Sequence, residues 1–170
     1  SFIEVVQLIQ KSRQQALRAV NTTLIDLYWK VGELISRKME TSKWGEEVIE
    51  QLAIFINQKN PNIKGFTRAN LFRMRQFFET YRNDTKVAAL RRLLPWAHHK
   101  SILARCKHSK EREFYLRASL KEGWSSRELE RQLNSSLFER TILTPAKVSQ
   151  ATKRIYPMAE SIFKDTYLVD

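Results

Sequence analysis

"LRAVNTTLIDLYWKVGELI", Leu17 to Ile35, decides the fold class. Leu17, Val20, Leu24, Leu27, Val31 and Leu34 recur at steps of three and four, the spacing of a heptad seam on one helix face. Residues 2–39 hold no proline and a single glycine, Gly32, so nothing local breaks that helix. With Phe2, Val6 and Ile9 upstream, the stretch reads as one long helix or two nearly collinear ones. Its length would be about 57 Å at 1.5 Å per residue. A mid-helix glycine costs about 1 kcal/mol against alanine, so Gly32 implies close approach by another backbone. Most of the seam is expected to pack inside the chain. Pairing with a second copy is the alternative.

Working outward, "GEEVIEQLAIFINQK" reads as a second helix opening near Gly45, with Glu46 and Glu47 in its first turn and Val48, Leu52, Phe55 and Ile56 as its apolar face. Pro61 and Gly65 bracket a loop. "GFTRANLFRMRQFFETY", Gly65 to Tyr81, supplies Thr67 as N-cap and a stripe of Leu71, Met74, Phe77, Phe78 and Tyr81. "TKVAALRRLL" predicts a short fourth helix, stopped by Pro95, and "PWAHHKSILARC" a fifth. "SKEREFYLRASLKEGW" predicts a sixth from an N-cap at Ser109 to Gly123, and "SSRELERQLNSSLFER" a seventh with Ser125 and Glu128 in capping-box register. Pro145 begins a last segment, interrupted by Pro157. No stretch alternates with period two for long enough to make a strand. The expected fold is all-α: a multi-helix domain with a long N-terminal helix and a helix-turn-helix-like unit formed by the second and third helices.

Composition narrows the class. A chain of 170 residues with 42% hydrophobic and 11% aromatic content is globular rather than disordered. Cys106 is the only cysteine, which excludes an internal disulfide and points to a reducing compartment, the cytoplasm. No apolar run approaches a membrane span, and the opening "SFIEVVQLIQKSRQQ" does not read as a signal-peptide apolar core followed by a cleavage site.

The net charge of +12 is unevenly spread. Residues 64–117 carry 14 Lys/Arg against 4 Asp/Glu, whereas each flank carries 8 against 7. A concentrated cationic block attracts polyanions. Within it the third helix has three arginines, an asparagine and a glutamine before its first acid, Glu79. Guanidinium groups grip phosphates or fork onto guanine, and a carboxamide pairs with adenine. Candidate DNA-binding residues are therefore Lys64, Thr67, Arg68, Asn70, Arg73 and Arg75, with Arg91, Arg92, Lys100, Arg105 and Lys107 as an adjoining backbone-binding face.

Catalytic groups are few. His98 and His99 point about 100° apart on a helix and make no ligand pair, and Cys106 with His108 fits no common zinc spacing. Asp84-Thr85-Lys86 lies between helices and reads as an N-cap rather than part of a nuclease centre. Trp29, Trp44, Trp96 and Trp124 read as core residues, while Phe72 falls off the apolar stripe and stands as a candidate contact.

The runs "GFTRANLFRMRQFFETY", "LPWAHH" and "EREFYLRASLKEGWSSRELERQLNSSLFER", with "LYWKVGELI" and "KWGEEVIEQLA" upstream, resemble the N-terminal domain of the YhcG-type family of predicted PD-(D/E)xK nucleases. The resemblance covers roughly residues 1–145. Gly65, Phe66, Arg68, Asn70, Leu71, Met74 and Arg75 match one family pattern, Trp96 and His98 a second, and Gly123, Trp124, Ser125, Leu129 and Glu130 a third. It implies a DNA-binding module at 1–145 and a linker at 146–170. The linker would lead to a nuclease domain whose carboxylates, lysine and Mg²⁺ lie beyond Asp170. On that reading residues 1–170 bind double-stranded DNA without catalytic site, metal or cofactor. The alternative is an oligomerisation or protein-docking domain without nucleic-acid contact, with a homodimer through the long helix.

Overall fold

The computed structural model describes residues 1–41 and 44–143. Every regular element among them is helical. The segment beginning at Pro145 and the linker at 146–170 lie outside the described residues. The helices fall into two compact units, Ser1–Trp96 and Ala97–Asp170.

The first unit is built on α1, Phe2–Thr41, one unbroken helix of 40 residues. The second helix, α2, spans Glu46–Lys59, and α3 spans Arg68–Tyr81. α3 buries the stripe expected of it: Leu71, Met74, Phe77, Phe78 and Tyr81. On α1, however, the buried residues are Ile25, Tyr28, Gly32, Ile35 and Ser36. That stripe is one residue out of step with the expected seam, or about 100° around the helix. Leu17 is 70% exposed, Val20 65% and Leu34 59%, so the seam does not pack inside the chain as expected. The reason is steric. A Cβ on Gly32 would stand 2.1 Å from the Met74 carbonyl oxygen, so α3 follows the stripe where α1 has no side chain and the two backbones touch.

Aromatic rings fill this core. Phe77 meets Trp29, Tyr81 and Trp96 edge-on at 5.4, 5.6 and 5.5 Å between centroids, and Tyr28 stands 4.9 Å from Trp96. α2 buries Ile49, while Phe55, assigned to its apolar face, is 56% exposed. The helix expected over 85–94 shrinks to a 3-10 turn, Leu90–Leu93. Asp84 accepts the Lys86 N–H at 3.1 Å and so caps a run of turns rather than a helix. The 3-10 turn is fastened from outside: Asn21 donates to the Leu94 carbonyl at 3.2 Å, and Asp26 holds Arg92.

The second unit holds most of α4, Trp96–Arg105, then α5, Ser109–Glu122. His98 and His99 are both buried, and His98 Nε2 lies 2.7 Å from the Trp124 carbonyl. α5 ends on Gly123 at φ 61°, the left-handed conformation glycine tolerates best. Its N-cap is His108, without a side-chain bond, so Ser109 is not the cap expected. Ser125 caps α6, Ser126–Asn134, by accepting the Glu128 N–H at 3.1 Å. The seventh helix expected from the sequence breaks in two. Ser136 sits at φ 52° and separates α6 from α7, Leu137–Leu143. Tyr115 Oη takes the Phe138 N–H at 3.2 Å just after the break, in a site whose burial pushes the phenol pKa up to about 12. Burial also raises the Cys106 thiol well above its ordinary range.

Candidate nucleic-acid interface

The loop from Asn60 to Thr67 delivers the chain to α3, and Gly65 makes the turn at φ 97°. Thr67 Oγ1 accepts the Asn70 N–H at 3.2 Å. Thr67 is thus the helix cap, as its position predicts.

Stepping 100° per residue, the outward side of α3 carries Arg68, Phe72, Gln76 and Glu79, with Arg73 and Arg75 on opposite edges. Ala69, Phe72, Arg73, Arg75, Gln76 and Glu79 line one shallow groove there. Asn70 is not among them. It lies about 160° from Arg68, half-buried beside the core stripe. The four α3 residues expected to act together are therefore divided between two sides of the helix.

The cations on this face are not all unengaged. Arg68 reaches across to α2, with Nε 3.1 Å from Glu50 and Nη2 3.6 Å from Glu46, and its guanidinium lies 5.1 Å from the Phe72 ring centre. Arg75 Nε donates to Glu79 at 2.7 Å, and the same carboxylate oxygen accepts from Ser36 on α1 at 2.9 Å. Arg73 bonds only a neutral group among these contacts, Gln76 Oε1. Lys64 is exposed in the loop.

Outside α3 the candidates scatter. Arg91 lies 3.6 Å over the Trp29 ring, and burial pulls its pKa down. Arg92 grips Asp26 through two bonds of 2.9 and 2.7 Å, and that bond pushes its pKa up. Lys100 and Arg105 belong to the second unit, where Lys100 is exposed and Arg105 bonds Asn134 and approaches Glu130 at 3.7 Å. The adjoining face expected from Arg91 to Lys107 is thus split between units. Sequence reading credited Glu46 to the α2 dipole and missed its role as a counter-ion. The available signal was the i, i+4 spacing of Glu46 and Glu50, which sets both on one α2 face.

Among the described residues no group of three or more His, Cys, Asp or Glu is placed to hold a metal ion. No described helix is long and apolar enough to cross a membrane.

The DUF1016 N-terminal domain family matches residues 4–140. A protein of Escherichia coli (strain K12) named "Putative nuclease YhcG" is 25% identical over 177 aligned residues, which cover 84% of this chain and 46% of that protein. The chain spans about half the length of that curated relative. No solved structure matches it.

Proposed function

The chain belongs to the DUF1016 N-terminal domain family, and from that premise we propose that it binds double-stranded DNA through the outward face of α3. The observation that carries the reading is the set of three guanidinium groups on this side of α3: Arg73 and Arg75 line the shallow Phe72–Gln76 groove, and Arg68 lies over the half-buried Phe72 ring. Lys64 and the capped N-terminus of α3 add further phosphate donors. The likeness to a protein named as a nuclease fits a module that positions such a domain on DNA. In that arrangement residues 1–145 bind, 146–170 link, and cleavage belongs to a domain beyond Asp170. The described residues do not fit the Mg²⁺ such a domain would use. Residues 1–170 with Mg²⁺ are expected to leave plasmid DNA intact; cleavage by the purified chain that stops with EDTA would contradict this.

The ion pairs set the size of the salt effect. Each phosphate neutralised contributes a log–log slope of about −0.9, so Lys64, Arg68, Arg73 and Arg75 together allow at most about −3.6. Arg68 and Arg75 must leave carboxylates to reach phosphates, and those acids then recruit cations of their own. Exposed pairs of this kind are worth only about 0–1 kcal/mol, so exchange is feasible but lowers the slope. Fluorescence anisotropy on a labelled duplex between roughly 50 and 300 mM salt is the test. Arg73→Ala should reduce the slope by about 0.9, Arg68→Ala by less, and Glu50→Gln should tighten binding. An Arg68→Ala/Arg73→Ala double variant with an unchanged slope would mean that this basic surface is merely solvated. The exposed stripe of α1 favours a second, compatible role in self-association.

A further inference from the structure

Residues 2–20 of α1 are exposed on every side, yet they are rich in large apolar side chains. The first α1 side chain bonded to the rest of the unit is Asn21. A helix of about twenty residues that packs against no other part of its own unit among the described residues is marginal in water, because its stability normally comes from packing an apolar face. Exposed apolar patches of this extent mark contact surfaces.

The pattern says what kind of surface fits. Ile3 and Val6, then Leu17, Val20, Leu24 and Leu27, occupy the a and d positions of one unbroken heptad register, interrupted by Gln10 and Arg13. All six are exposed, and the register continues to Leu34 beyond them. Because α3 takes the stripe about 100° away, this seam stays open within the first unit along most of the helix, with only Val31 half-buried. A heptad seam calls for another helix, and a second copy offers the same seam in matching length. We propose that two copies of this chain associate through their α1 seams as an antiparallel two-helix coiled coil with twofold symmetry. Six such side chains from each helix, with Phe2, Ile9 and Leu34 alongside, would remove on the order of 1,200 Å² from water, the lower end of a stable specific interface.

Polarity sets the direction. In a parallel, in-register pair Arg13 would face Arg13 across the seam, and the unsupported halves would have only each other. An antiparallel pair separates those guanidinium groups. It also lays the bare N-terminal half of each helix along the partner's C-terminal half, which α3 holds rigid.

The inference is independent of DNA contact, and its readout is mass. Sedimentation equilibrium from about 1 to 100 µM should give twice the chain mass of 20.1 kDa. Leu17→Glu with Val20→Glu should halve that mass and lower the 222 nm circular dichroism, as residues 2–20 lose their support. Ile3→Glu with Val6→Glu repeats the test at the tip, where no contact within the first unit is at risk. A wild-type chain monomeric at 100 µM, or variants that stay dimeric, would overturn the proposal. Ile3→Cys fixes the direction: mild oxidation should give no homodisulfide from an antiparallel pair, and efficient cross-linking would overturn that arrangement. Cys106 is buried and does not compete.

Discussion

Gly32→Ala should destabilise the first unit by about 3 kcal/mol, lowering its melting temperature by roughly 12–24 °C. The sign is opposite to what local propensity dictates. In a free helix the same change would gain about 1 kcal/mol. Here the added methyl would stand 2.1 Å from the Met74 carbonyl oxygen and 2.6 Å from its carbon. Those are backbone atoms of a packed helix, so no rotamer change relieves the clash. α1 and α3 must part by more than an ångström, which loosens the contacts of Trp29 with Phe77 and Phe78 and the Ser36–Glu79 hydrogen bond. Thermal melting followed by circular dichroism measures this. An unchanged or raised midpoint would show that the two helices do not approach as closely as the structure places them.

Phe77→Ala should cost about 3–5 kcal/mol, because it removes a fully enclosed ring and leaves a cavity. Phe77 has no exposed surface and stands at the centre of the aromatic cluster, edge-on to Trp29, Tyr81 and Trp96. Each such pair contributes about 0.5–1.5 kcal/mol beyond its buried area. Three elements lean on this one side chain: α1 through Trp29, α3 itself, and the start of α4 through Trp96. Phe72→Ala is the matched control, with the same side chain on the same helix but only half-buried on the side away from the core. It should change the urea midpoint little while weakening any DNA contact made at the groove. If the two variants lose equal stability, Phe77 is not the centre of the core.

Local signals were legible in the sequence where the physics is local. Thr67 and Ser125 cap helices because a hydroxyl bonds an N–H three residues ahead, a relation that needs no other element. Gly123 ends α5 for a similar reason. The break at Ser136 was not legible. Both flanks favour helix, and the non-glycine left-handed residue is accompanied by a distant anchor, the Tyr115 hydroxyl. The fourth helix failed likewise: Asn21 and Asp26 on α1 hold Leu90–Leu93 as a tighter turn.

The sequence by itself determined that this chain is helical, that α1 is long, and that Gly32 marks a backbone contact, because periodicity, caps and glycine cost act within a few residues. Which α1 stripe is buried was decided only by tertiary structure. Two stripes one residue apart both satisfy a 3–4 spacing, and the partner selects between them by steric fit at Gly32. The electrostatics of α3 divide in the same way. Read along the chain, Arg75 has Glu79 four residues on, whereas Arg68 has no acid within reach on its own helix. In space Arg68 faces Glu46 and Glu50 of α2, because charge is balanced across the distance between helices as well as along the sequence.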